Sequence, residues 1–139
     1  MGDMLTITDF VAGARDPRAL TAGIQKAIDT AAQSADGVGV VPPGRYDVCT
    51  LYLRSRVTLV LQRGAVLTPC LDLSLYPVEA RGHNKDRQPY HLLVAKDCEH
   101  IGITGHGMID GNGMAFWTPP AAPLPWYYAK PQRISPLVE

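Results

Sequence analysis

Gly105-His106-Gly107 and Asp110 set an imidazole and a carboxylate four residues apart, two side-chain types much used for proton transfer near neutral pH. Work on a substrate would need a second acid or base within reach, and Asp110 is the lone carboxylate of Ile101–Gly113. A plainer reading fits both residues. Asp110-Gly111-Asn112-Gly113 has the composition of a turn, in which Asp and Asn bond nearby backbone N–H groups and Gly supplies positive φ. His106, between two glycines, occupies a turn position whose side chain need only suit solvent. Both residues read as structural, and no catalytic residue is assigned within the chain.

Cys49, Cys70 and Cys98 are odd in number and lack a C-x-x-C spacing, so they do not form a zinc pattern. Each sits in or beside an apolar strand and reads as a buried free thiol. No run of Asp and Glu suits calcium. Neither metal nor cofactor is expected. Two further groups stand out: Arg81, His83, Lys85 and Arg87 concentrate positive charge beside Glu79 and Asp86, and Trp117, Trp126, Tyr127 and Tyr128 gather aromatic surface.

The elements that position these groups follow from pattern. At 139 residues, with 46% hydrophobic and 19% charged, the chain is long enough for one domain with a packed core. Lys plus Arg equals Asp plus Glu at 13 each, which argues against nucleic acid as the main partner. Twelve prolines and 13 glycines imply many turns. No stretch approaches the ~18 apolar residues of a membrane span. Met1–Phe10 lacks the basic segment and apolar run of a signal peptide, which leaves a cytoplasmic protein and a mature exported form both open.

Leu5, Ile7 and Phe10 read as a short opening strand. Asp16-Pro17 offers a cap and a first-turn proline, and Leu20, Ile24, Ala27, Ile28 and Ala31 recur at helical spacing up to Asp36-Gly37. Gly23 weakens this helix by roughly 1 kcal/mol relative to Ala. The period then changes. Val38–Val41, Tyr46 and Val48, Leu51 and Leu53, Val57–Leu61, Ala65–Leu67, Leu92–Ala95, Ile101–Thr104 and Met108–Ile109 give short extended pieces, and Ile134–Val138 reads as one more. Residues 71–90 and 111–133 read as two long surface loops.

Val57-Thr-Leu-Val-Leu-Gln-Arg-Gly-Ala-Val-Leu67 shares the strand–turn–strand form of the segment from Ile101, with an offset of 44 residues. Units recurring in this way, each burying its apolar side only against its neighbours, point to an all-β solenoid. An α+β sandwich is the competing class. Very short strands, the recurring unit and long loops at one phase of the repeat favour the solenoid. An amphipathic helix placed before the first coil would cover its exposed end. The expected organisation is a single domain over 1–139: strand and cap helix over about 5–36, then the opening coils over about 37–139.

Asp9-Phe10, Gly23-Ile-Gln-Lys-Ala-Ile-Asp29, Val40-Val-Pro-Pro-Gly-Arg-Tyr46, Val57–Leu67, Ile101–Gly113 and Ser135-Pro-Leu-Val-Glu139 span nearly the whole chain. In that order they resemble the opening of a polygalacturonase of glycoside hydrolase family 28, in the right-handed parallel β-helix (pectin-lyase-like) class. Val11 departs from the pattern, where the family usually carries glycine in Asp-Phe-Gly-Ala. The resemblance implies the N-terminal cap helix and first coils of a longer enzyme that hydrolyses α-1,4 links between galacturonate units with inversion. Inversion needs an acid and a base ~6.5–9.5 Å apart. The family's carboxylates lie in Asn-Thr-Asp and Asp-Asp motifs, followed by Gly-His-Gly and Arg-Ile-Lys. This chain has no Asn-Thr-Asp, Asp-Asp or Arg-Ile-Lys, so its opening coils are expected to stop short of the acid–base machinery.

In the family, equivalent long loops border the sugar cleft. Arg81, His83, Lys85 and Arg87 would suit an anionic uronate chain, or form a solvated loop balanced by its own acids. Trp117, Trp126, Tyr127 and Tyr128 would stack on sugar faces, or pack their loop onto the coils. Two functions stay in competition: part of a pectin-hydrolysing enzyme whose carboxylates lie elsewhere, and a non-catalytic module that binds acidic glycan or self-associates through an uncapped coil.

Overall fold

The computed structural model describes residues 5–11, 13–77, 90–118 and 132–133, the last two and 117–118 by their backbone. Strand β1 (Leu5–Thr6) leads into a one-turn helix, α1 (Thr8–Val11), and then into α2 (Pro17–Gln33). Phe10 therefore lies in a helix, where alternation had placed it in the opening strand. The Asp16 carboxylate caps α2 by accepting from the Ala19 N–H at 3.0 Å, and Pro17 follows where no intrahelical donor is missed. Leu20, Gly23, Ile24, Ala27, Ile28 and Ala31 make its buried stripe.

Gly23 has a packing role that its low helix propensity conceals. A Cβ there would stand 2.7 Å from Val11 Cγ1 and 2.8 Å from the Phe10 carbonyl oxygen. The missing side chain is what lets α1 lie against α2.

Eight strands follow as β2 (Val38–Val41), β3 (Gly44–Val48), β4 (Leu51–Tyr52), β5 (Thr58–Leu61), β6 (Ala65–Pro69), β7 (Leu93–Val94), β8 (Gly102–Gly105) and β9 (Met108–Ile109). They pair in three parallel sheets, ordered β1-β2-β5-β8, β3-β6-β9 and β4-β7. Each circuit of the chain thus adds one strand to successive sheets. The expected 44-residue offset is the β5–β8 register, Leu59 beside Ile103. A shorter offset of 20 residues sets Gly39 beside Leu59 in the circuit before. The last described strands, β10 (Trp117–Thr118) and β11 (Gln132–Arg133), form an antiparallel pair, where residues 111–133 were expected to be irregular.

The core lies between α2 and the sheets. Ile24 and Ile28 share it with Val41, Val48, Leu51, Leu59, Leu61 and Leu67. A separate small cluster, Cys49, Cys70 and Tyr76, is packed by Leu73, Leu75 and Tyr90. No helix among the described residues is long and apolar enough to cross a membrane.

Candidate functional site

The turn from β8 to β9 carries the histidine and carboxylate singled out by sequence. Gly105 has φ +106°, and a Cβ on it would run into the Leu61 carbonyl oxygen. A Cβ on Gly107 would stand 2.6 Å from that of Leu61, and the Gly107 N–H donates to the Leu61 carbonyl at 2.9 Å. Both glycines exist to seat this turn on the circuit below. His106 between them is exposed. Asp110 is exposed too; its Oδ1 accepts from the Asn112 N–H at 2.9 Å, and its own N–H donates to the Leu67 carbonyl at 2.9 Å. That is a turn-forming carboxylate, as its sequence context implied.

The two long stretches leave their strands at one corner. β3 passes to β4 through Cys49 and Thr50 alone, whereas residues 70–92 separate β6 from β7. β9, paired to β6, opens the second long stretch at the same corner. Arg81, His83, Lys85 and Arg87 lie outside the described residues, as do Trp126, Tyr127, Tyr128 and the strand expected at 134–138. Trp117 is placed in β10 by its backbone.

The root of the first loop is described, and it is well built. Asp72 starts a short 3-10 turn, Leu73–Leu75, by accepting from the Ser74 N–H at 3.0 Å and its hydroxyl at 2.6 Å. These bonds hold the Asp72 carboxyl below its ordinary range. Tyr76 then turns back over the corner, donating to the Cys70 carbonyl at 2.7 Å and meeting Tyr90 edge-on at 6.2 Å. Burial, ahead of the neighbouring Cys70, raises its phenol well above the usual value.

A cleft of about 490 Å³, which no sequence feature signals, lies between the α1–α2 connection and β3. Arg15, Arg45, Asp47 and Tyr46 line it along with apolar Val11 and Leu20. Arg45 Nε meets Asp47 Oδ1 at 3.4 Å, and the Tyr46 hydroxyl donates to the Pro42 carbonyl at 2.8 Å. The lining comes from two segments, Leu20 and earlier residues on one side and Arg45–Asp47 on the other, which are 25 positions apart at their nearest, so no local motif announces it.

The solved structure of the Yersinia enterocolitica family 28 exopolygalacturonase is similar to this chain, with a TM-score of 0.67 at 29% sequence identity. The fold is polygalacturonase-like. The match covers 88% of this chain and 22% of that one, so the chain spans about a fifth of the length of the enzyme it matches. No protein-family model and no curated protein matches it. Three parallel sheets together with this likeness support a parallel β-helix fold and a coarse relationship to polygalacturonases.

Proposed function

We propose that the chain forms the cap helix and opening right-handed coils of a polygalacturonase-like glycoside hydrolase acting on polygalacturonate, all within a single domain. The observation that carries this reading is the likeness to the Yersinia exopolygalacturonase across 88% of the chain. The chemistry would be inverting hydrolysis of galacturonosyl links, with the acid and base supplied by coils other than these. Arg81, His83, Lys85 and Arg87, with Trp117, Trp126, Tyr127 and Tyr128, are proposed to border the glycan, giving charge and stacking respectively.

Reducing-end release from polygalacturonate tests the division of labour. These 139 residues alone are expected to release none. Turnover abolished by Asp110→Asn or His106→Ala would overturn it by placing the chemistry here. The reading frame beyond Glu139 tests the enzyme reading directly: Asn-Thr-Asp and Asp-Asp motifs there support it, and a stop codon sinks it.

A non-catalytic module that assembles through its last coil is favoured by one observation. Ile103 and Ile109 are 37% and 40% exposed, while their register partners Leu59 and Leu67 are each 1% exposed. Among the described residues, β8 and β9 are edge strands with this apolar surface open. A monomer in light scattering at micromolar concentration would count against assembly. Salt-sensitive binding of oligogalacturonate without cleavage would support the glycan-binding form.

A further inference from the structure

Cys49 and Cys70 occupy equivalent positions on neighbouring circuits, each one residue past the paired ends Val48 and Pro69 of β3 and β6. The Cys70 N–H continues the ladder by donating to the Val48 carbonyl at 2.9 Å. Adjacent strands lie ~4.8 Å apart, inside the ~4.4–6.8 Å between Cα atoms that a disulfide spans. The two sulfurs already stand 3.4 Å apart, and both side chains are buried. Cys98 is elsewhere, its Sγ donating to the Leu53 and Lys96 carbonyls.

We propose that Cys49 and Cys70 are a cross-linking site, oxidised by a small-molecule disulfide to a bond that locks the root of the first long loop to the circuit below. In the first step one thiolate attacks the small disulfide, forms a mixed disulfide and expels one small thiol. The second cysteine, having given up its proton, then attacks the protein sulfur of that bond and expels the other. Two electrons and two protons pass from the cysteine pair to the oxidant, which leaves as two thiols. Rotation of the side chains closes the remaining gap between the sulfurs. The bond would also anchor the loop to the cap helix, because the Cys49 N–H donates to Thr21 Oγ1 at 2.8 Å. The inference is independent of the polygalacturonase reading.

The test uses the full chain carrying Cys98→Ser, which removes the third thiol. After exposure to oxidised glutathione, intact mass is expected to fall by about 2 Da, the two hydrogens lost. Peptide mapping is expected to find Cys49 joined to Cys70. The thermal midpoint is expected to rise by roughly 5–10 °C and return on reduction with a dithiol. Adding Cys49→Ala should abolish the mass loss. An unchanged mass, or glutathione adducts without the Cys49–Cys70 linkage, would overturn the proposal. Mapping of the Cys98→Ser chain decides the matter even if the double variant fails to fold.

Discussion

The side chain of Gln25 holds both backbone groups of Tyr52: Oε1 accepts its N–H at 2.8 Å and Nε2 donates to its carbonyl at 3.0 Å. Among the described residues β4 pairs with β7 alone, through the Leu51 and Leu53 N–H groups. On its other edge, where a preceding circuit would supply a strand, a carboxamide reproduces the donor–acceptor pair of one. Asp29 steadies the arrangement, accepting from Gln25 Nε2 at 3.0 Å and from Arg54 Nε at 2.9 Å. The cap helix thus satisfies an edge as well as covering a core.

Gln25→Ala removes both of these hydrogen bonds to the half-buried Tyr52 backbone. A loss of about 1–3 kcal/mol is expected, read as a lower urea midpoint with unchanged slope. Gln25→Glu keeps an acceptor but loses the donor beside Asp29, and should cost at least as much.

Gly23→Ala discriminates packing from propensity. Helix propensity alone expects a gain of roughly 1 kcal/mol. Contact of the new methyl with Val11 and the Phe10 carbonyl reverses the sign, and a net loss of about 1–3 kcal/mol is expected. Thermal melts of the two proteins side by side read the sign.

The β8–β9 turn should respond unevenly to substitution. His106→Ala is expected to shift stability by less than about 0.5 kcal/mol, as for an exposed residue without special contacts. Gly105→Ala should cost several times more, because its φ is positive and the Leu61 carbonyl fills the space. Equal losses at the two positions would contradict a purely structural turn.

Alkaline pH should loosen the fold. Burial, then Cys70, pushes the Cys49 thiol from 9.0 up to about 11, with Thr21 opposing and Asp72 adding a small push upward. Burial likewise raises Tyr46 and Tyr76. Unfolded, these groups ionise first, so the native chain binds more protons above pH 9. Stability due to Cys49 is whole below pH 9 and is lost as pH climbs to about 11. Urea midpoints measured across that window should decline, and less steeply in Cys49→Ala.

Much of the fold was legible because its signals are local. Short alternation marked β5, β8 and β9, and Asp16-Pro17 with apolar spacing marked α2. The 20-residue register of β2 on β5 was not visible: Gly39, stacked on Leu59, has no side chain to echo it. Phe10 was misplaced because a four-residue helix is too short to show its period. The role of Gln25 could not be read from the sequence, because its partner Tyr52 lies 27 positions away. The turn roles of His106 and Asp110 could be read from their glycines. The neighbourhood of Cys49 and Cys70 could not, since it depends on a 21-residue stacking distance that no local pattern states.

The two-residue join at Cys49-Thr50 and the excursion over residues 70–92 leave from the same corner, yet Leu51 still pairs with Leu93 and Tyr52 with Val94. Length at that corner is therefore uncoupled from alignment of the strands on either side. Foreign peptides grafted there would be displayed on a scaffold whose framework need not change.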